Sequence, residues 1–423
     1  MSSQVEIIVR NSTPLLIGWY DPLKTDPQGL RATEIKGLWR WWSRAFIAGA
    51  LYDKGLLLGR YSNDVLLEPT ESEVECISCL AGKVLGLGFT GKNEAEASRF
   101  ILYTEPLKEP VPKPCRDGLQ RIQLLTIGKR GRGGHAKKGD VECQYIERGH
   151  IFKIAVEKRY AKYRDGEELA IKILLAALQL SGLGKGSRRG LGSLDIENIS
   201  NFSLTVTNLK ELIKDIYEGC TNIVDTHYDE CCKRKTATGK TETVNFPPPM
   251  PVMSKKSVDN LKISQVIVAG NASFEPIHNF FVRTERCKVL YKNPRCFDEL
   301  RENLSAWVLG LPRIQRRREK GRGKEKETWT GYETTVSRRA SPILVSYHSD
   351  WNMFGKGALI SIFISGDWPT ELTWSKPEPR EGTPRPKRIK VDFNVLYKAY
   401  RAAIGELTKY LERLNFGYSS IWP

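Results

Sequence analysis

Gly182-Leu-Gly-Lys-Gly-Ser-Arg-Arg-Gly-Leu-Gly192 stands between an apolar run with helical character, Leu169 to Ser181, and an alternating, strand-like run, Ser193 to Thr205. Its five glycines permit positive φ and a close approach of backbone to whatever lies above it. Lys185, Arg188 and Arg189 add three cations to the same loop. Open backbone N–H groups with forked guanidinium donors suit phosphate oxygens. Two nucleotide-binding patterns do not fit. The Walker A loop and the Gly-x-Gly-x-x-Gly fingerprint both lead from a strand into a helix. Here the order is helix, loop, strand. A plain helix cap and turn would account for one or two of the glycines but not for all of them.

Working outward, charge is the next constraint. Lys and Arg number 66 against 49 Asp and Glu, a formal net charge of +17 over 423 residues. An excess of this size points to a polyanionic partner, nucleic acid first and an anionic membrane surface second. No apolar run approaches the length of a membrane span. The first ten residues read as a strand and lack the cationic start and apolar core of a secretory signal, so a cytoplasmic location is expected. Nine scattered cysteines argue against a secreted disulfide framework. Cys76-Ile-Ser-Cys79 has the spacing of half a zinc site, with Cys231-Cys232 or Cys115 as completions. No second pair of that spacing follows, and buried free thiols are the expectation.

The hydrophobic pattern gives an α+β chain. A strand over residues 4–10 leads through a Pro- and Gly-containing loop to a helix from Thr33 to Asp53. That helix buries Ile35, Trp39, Trp42 and Phe46 and turns Lys36, Arg40 and Arg44 outward as a cationic ridge. Strands are expected at Val84–Phe89 and His150–Val156, then the helix at 167–181, the glycine loop and the strand at 193–205. The order β-α-β-β-α-β is that of a ferredoxin-like (RRM-like) domain, placed at residues 1–205 with a basic insertion at 106–147. Residues 206–423 read as a second, more decorated domain of the same class. It has a helix near 208–218, a proline-rich stretch at Asn245–Pro251, strands at Ser264–Ala269, Phe280–Val289, Pro342–Tyr347 and Ala358–Ser365, and helices at Phe297–Leu311 and Val391–Leu414.

Further basic clusters support a polyanion partner. The insertion carries Lys129, Arg130 and Arg132 among glycines. The segment Arg313–Lys326 holds eight cations, Arg316, Arg317 and Arg318 among them, against two acids, and reads as a loop that cannot fold alone. Lys387, Arg388 and Lys390 form another cluster. Trp41 lies between the buried and cationic arcs of the first helix, and fits either a base-stacking contact or a tryptophan at the core edge.

Thr13-Pro-Leu-Leu-Ile-Gly18, Leu30-Arg31-Ala-Thr-Glu-Ile-Lys36-Gly-Leu-Trp-Arg40-Trp-Trp-Ser-Arg44-Ala45 and the loop 182–192 together resemble the RAMP superfamily, the repeat-associated proteins of CRISPR effector complexes. The pattern Ile-Lys-Gly-x-x-Arg-x-Trp-x-Arg-Ala is most similar to the first subunit of type III-B (Cmr) complexes. The resemblance is specific over residues 5–200; beyond, only Arg339-Ala-Ser-Pro342 aligns. It implies two ferredoxin-like domains and a place in an antiviral ribonucleoprotein, near the 3′ end of the guide. The partners it implies are CRISPR RNA, target single-stranded RNA and neighbouring backbone-type RAMP subunits, with no membrane, cofactor, metal or small-molecule substrate. Lys36, Arg40, Arg44, Lys185, Ser187, Arg188 and Arg189 carry over as candidate RNA contacts, with Arg31 a further candidate beside them. Arg188→Ala together with Arg189→Ala is expected to weaken RNA binding roughly equally for unrelated sequences.

Backbone-type RAMP subunits cut RNA with an aspartate in the loop after the first strand, and Asp21 and Asp26 occupy that loop here. A RAMP endoribonuclease is therefore the rival reading, and a subunit-binding scaffold with secondary RNA affinity is the other. Both aspartates precede prolines, which makes them ordinary turn formers. No pair of histidines is spaced for acid–base work. A non-catalytic RNA-binding subunit is the reading that results.

Overall fold

The computed structural model describes residues 4–21, 24–91, 94–114, 144–232, 246–292, 300, 303–311, 313–320, 325–334, 339–375 and 387–423. The chain starts with β1 (Val5–Asn11), whose alternate residues Val5, Ile7 and Val9 are buried. Helix α1 (Ala32–Asp53) and the short α2 (Glu71–Cys79) follow. Then come β2 (Phe100–Pro106), β3 (Ile151–Lys158), α3 (Arg164–Leu180) and β4 (Leu194–Ser200). The strands form an antiparallel sheet in the spatial order β2-β3-β1-β4.

After α4 (Leu209–Cys231), the same sequence of elements recurs. It consists of β5 (Ser264–Ala269), α5 (Phe274–Asn279), α6 (Arg283–Tyr291), β8 (Ile343–His348), β9 (Gly357–Phe363), α7 (Phe393–Arg413) and β12 (Ser419–Trp422). These strands pair antiparallel in the order β8-β9-β5-β12. Strands two, three, one and four of each set thus lie side by side in that order, twice over. A third sheet, β6-β7-β10-β11, is built from β6 (Arg313–Lys320), β7 (Glu325–Glu333), β10 (Glu371–Ser375) and β11 (Lys387–Lys390).

Helices α1 and α3 explain how the two halves join. The Trp39 indole N–H donates to the Ala170 carbonyl at 2.7 Å and that of Trp42 to the Ser181 hydroxyl at 3.0 Å, which locks α1 onto α3. On the far side, Trp42 meets Phe363 of β9 at 5.8 Å between ring centres. All seven residues of β9 are buried, as expected of a strand covered on both faces. The helix layer of the first sheet therefore also covers the second, and one contiguous apolar core runs through both halves, with a small separate cluster of Leu16 and Leu191. Helix α4 packs on α1 and α3 and reaches β12, where Tyr217 meets Trp422 at 5.0 Å. No described helix is long and apolar enough to cross a membrane.

Several expectations need correction. The run Val84–Phe89 is not a strand of the main sheet. Leu80–Val84 continues α2 as a widened helical turn, and the sheet takes Phe100–Pro106 instead. Arg99, fully buried, holds that turn through the Lys83 and Val84 carbonyls and pairs with buried Glu167 at 2.9 Å. Phe280–Val289 is largely helix rather than strand, because Arg286 turns inward to pair with buried Glu406 of α7 at 2.8 Å. The described residues of the basic segment 313–326 are strand and not loop: β6 pairs antiparallel with β7, in a backbone register that sets Arg318 opposite Glu327, Glu319 opposite Lys326 and Lys320 opposite Glu325.

The cysteines differ as well. Cys76 is bonded to Cys232 and Cys79 to Cys231, while Cys287 is also disulfide-bonded. Among the described residues only Cys220 is a free thiol. The Cys-x-x-Cys pair at the end of α2 and the Cys-Cys pair at the end of α4 thus form a double staple. With one bridge intact, the other closes a loop of only about six residues, worth about 2 kcal/mol. Cys79→Ser with Cys231→Ser is expected to lower the unfolding free energy by that amount in urea titration, with folding retained.

Candidate nucleic-acid interface

The glycine loop leaves α3 and returns through a single turn of 3-10 helix at Ser187–Arg189, flanked by Gly186 and Gly190 at positive φ. Its glycines serve the chain itself. A Cβ on Gly192, which has φ +67°, would overlap the Leu183 carbonyl oxygen, and Leu183 N–H donates to the Gly192 carbonyl at 2.9 Å. The Gly192 N–H donates in turn to the Pro14 carbonyl at 2.9 Å. Close approach is required here, but by neighbouring backbone rather than by a phosphate.

The two arginines of the loop part company. Arg189 is only 7% exposed. Its guanidinium donates to the Ser341 hydroxyl at 2.9 Å, the Leu309 carbonyl at 2.9 Å and the Ile343 carbonyl at 3.2 Å, and lies 3.5 Å from the Phe281 ring centre. It bolts the loop to the second half, with its guanidinium turned away from solvent. Arg188 donates to the Ser341 carbonyl at 2.9 Å and sits 5.7 Å from the Trp41 ring centre. Burial, and then the charge of Arg339, push its pKa down. Trp41 is half-buried, edge-on to Trp42 and Phe363 at 4.9 and 5.7 Å, which makes it a core-edge residue between α1 and β9.

The remaining cations converge along the outer face of α1, in three depressions that run into one another. Gly18, Arg31, Thr33 and Lys185 line the first, where the N-terminus of α1 adds its positive dipole end. Thr33, Lys36, Arg40 and Arg159 line the second. Arg40, Arg44, Gly88 and Thr90 line the third. Thr33 joins the first to the second and Arg40 the second to the third. From Arg31 to Arg44 the track runs about 20 Å along the helix.

Like charges dominate this track. Burial pushes the Lys36 ammonium down, and the neighbouring charges acting on it are those of Arg40 and Arg159. Arg40 is pushed down by burial and by Arg44. Lys36 donates to the Phe100 carbonyl at 3.2 Å and Arg40 donates twice to the Leu87 carbonyl, at 2.7 and 2.9 Å. These bonds fix their direction without neutralising their charge. Arg44 is exposed. Carboxylates at the rims are engaged: Glu34 accepts the Gly184 N–H at 2.5 Å, and Glu96 is held by Arg99 at 2.6 Å and Lys162 at 2.8 Å. Lys129, Arg130 and Arg132 lie outside the described residues, as do the side chains of Arg316, Arg317 and Arg318.

Sequence reasoning missed Arg159, which has no basic neighbour pattern of its own beyond Lys158. It reaches the track because the β2–β3 register brings the end of β3 beside Arg99, whose carbonyl accepts the Arg159 N–H at 2.9 Å. The loop aspartates have structural occupations. Asp26 is 3% exposed, pairs with Arg31 at 2.6 Å and accepts the Gln28 N–H at 2.9 Å. The Asp21 carbonyl accepts the Lys24 N–H in the turn that follows β1.

Comparison with known proteins completes the description. Among solved structures, a chain of the type III-B Cmr-beta complex bound to cognate target RNA has a similar fold, at 15% identity over 95% of this chain and 100% of that one, with a TM-score of 0.50. A chain of the same assembly with target RNA, AMPPnP and single-stranded DNA gives 13% identity over 96% and 99%, with a TM-score of 0.47. Cmr1 from Pyrococcus furiosus, in its apo form, gives 16% identity over 99% of each chain and a TM-score of 0.44. No curated protein is similar enough in sequence to count as a match. The family model that matches is that of the RAMP superfamily, over residues 12–195, from just after β1 through α1 with its cationic track and the glycine loop to the start of β4: over that stretch the chain is similar to the RAMP superfamily.

Proposed function

We propose that this protein is a non-catalytic RNA-binding subunit of a type III-B CRISPR effector ribonucleoprotein, holding the backbone of single-stranded RNA along α1. The observation that carries the reading is the track of Arg31, Lys185, Lys36, Arg159, Arg40 and Arg44, within which Lys36 feels the charges of Arg40 and Arg159, and Arg40 that of Arg44. Crowded cations that cost stability in the free protein are relieved by a polyanion. Similarity to the RAMP superfamily, and the fold shared with a chain of an assembly bound to its target RNA, favour RNA as that polyanion. Neighbouring RAMP subunits are the protein partners this reading implies. The repeated strand order supports two ferredoxin-like units, at 1–205 and 206–423, with α4 bridging them. Of the two loop aspartates on which the endoribonuclease alternative rests, Asp26 has its carboxylate buried against Arg31, which counts against it.

The track offers phosphate donors and few base-reading groups, so affinity should depend on salt more than on sequence. In gel-shift titrations with end-labelled single-stranded RNA, Lys36→Gln with Arg44→Ala is expected to weaken binding about tenfold, alike for unrelated sequences. The log–log salt slope should flatten by about 1.4, or about 0.7 for each phosphate contact removed. An unchanged slope would remove the track from the RNA path, and cut RNA would restore the nuclease reading.

A further inference from the structure

The loop after β1 holds two aromatic rings out into solvent at the head of the cationic track. Trp19 is 44% exposed and Tyr20 77%. Their exposure is not slack in the chain. The Trp19 N–H donates to the Lys24 carbonyl at 2.9 Å, Asp26 N–H to the Ile17 carbonyl at 2.9 Å, and Gly18 bridges Thr25. The ion pair from Arg31 to buried Asp26 pins the base of the loop to the start of α1. With both flanks tied in this way, a tryptophan and a tyrosine kept exposed forgo their burial, and such exposure marks a contact surface.

We propose that Trp19 and Tyr20 form a stacking site for an unpaired nucleobase, placed where the RNA backbone enters the track. The inference rests on the RNA-binding reading above and deepens it. The two rings meet edge to face, 6.1 Å apart at 67°, so the contact takes up the edge of one ring and a single face of the other and leaves much of both open to solvent. Each has a cation near it: the Arg31 guanidinium 5.6 Å from the Trp19 centre and the Lys24 ammonium 5.6 Å from that of Tyr20. A cation on one face of an indole leaves the other for a base, and stacking of this kind tolerates any base because every base has a π-face. Arg31 then acts twice, since it lines the first depression beside Gly18, Thr33 and Lys185. A base on Trp19 would leave its own phosphate over those groups and the α1 N-terminus, where anions are favoured. That combination of open rings, flanking cations and an adjoining phosphate track fits a nucleotide better than it fits an apolar peptide.

The test uses the full chain and two ligands of equal length: single-stranded RNA of mixed sequence, and the matching abasic ribose-phosphate oligomer. Trp19→Ala is expected to weaken RNA binding about tenfold, within the range of one lost stacking contact, and to leave the abasic oligomer unaffected. Trp19→Phe should recover most of the loss, and Tyr20→Ala should show a smaller defect of the same kind. Wild-type binding to RNA with Trp19→Ala unchanged overturns the stacking site and leaves the RNA reading standing. Equal losses on RNA and abasic oligomer overturn it too, since they would mean a distorted loop. If the wild type binds neither ligand, both readings fall. If Trp19→Ala impairs only association with a partner RAMP subunit, the rings belong to a protein interface and the site is overturned.

Discussion

Arg189→Ala is expected to lower the unfolding free energy by about 4 kcal/mol, a large part of the 5–15 kcal/mol typical of folded proteins. The guanidinium serves three acceptors in a nearly dry setting: the Ser341 hydroxyl and the Leu309 and Ile343 carbonyls. Removing it takes the side-chain donor from the Leu309 carbonyl and leaves the Ser341 hydroxyl and Ile343 carbonyl with fewer partners, chiefly each other. A buried polar group left unpaired costs about 1–3 kcal/mol, and the cavity beside the Phe281 ring adds to that. Its own carbonyl accepts a hydrogen bond from Nδ1–H of the buried His278 at 2.8 Å, so the backbone around it is also committed to the second half. Urea titration would show a lower midpoint with an unchanged slope. Arg189→Met separates the terms, since it restores much of the volume and none of the donors, and it should recover less than half of the loss. RNA affinity per folded molecule should stay at the wild-type value in both variants. A stable Arg189→Ala protein with weakened RNA binding would return this arginine to the RNA surface.

The pair Arg188-Arg189 shows where reading from sequence stops. The chain order gave two adjacent cations in a glycine-rich loop, and phosphate contact was the natural inference for both. Which one faces inward depends on the 3-10 turn between Gly186 and Gly190, and on where Leu309, Ser341 and Ile343 arrive from far along the chain. The glycines were equally ambiguous, because open backbone serves a ligand and a neighbouring strand equally well. By contrast, β1, α1, α3 and β4 were legible, since each carries a period that only one element satisfies. The ridge of Lys36, Arg40 and Arg44 followed from the same period, and those residues do share one face of α1. Where periodicity was weak, the reading slipped. Val84–Phe89 is apolar enough for a strand, but buried Arg99 and two glycines at positive φ turn it elsewhere. The strand pair β6–β7 had a usable signal in its mirrored charges, Glu319-Lys320 against Glu325-Lys326-Glu327, which a count of net charge conceals. The staple between α2 and α4 had a weaker one. Cys-x-x-Cys and Cys-Cys suit a metal, free thiols or disulfides, and only the meeting of two helix ends decides among them.

Gly49→Ala is expected to cost more than about 4 kcal/mol, although alanine is the better helix former by about 1 kcal/mol. The reason lies in the proline-rich stretch that follows α4. From Phe246 to Lys256 it crosses the C-terminal half of α1, with the Tyr52 hydroxyl donating to the Phe246 carbonyl at 2.6 Å and Met253 N–H to the Ala45 carbonyl at 2.9 Å. Asp53 at the end of α1 anchors it further, accepting from the Ser254 hydroxyl and, at 2.8 Å, from the Lys255 N–H. At Gly49 this crossing is so close that an added Cβ would overlap the Met253 carbonyl oxygen. A backbone carbonyl held on both sides cannot swing away as a flexible side chain would. Relief requires lifting the whole segment, and with it the Asp53 contacts. Gly37, on the same helix, supplies the control: a Cβ there meets nothing within 4 Å, so Gly37→Ala should stabilise by about 0.5–1 kcal/mol through helix propensity alone. Parallel urea titrations of the two variants would therefore move in opposite directions. If Gly49→Ala behaved like Gly37→Ala, the 246–256 segment would not lie against α1, and the joining of the two halves through that helix would have to be redrawn.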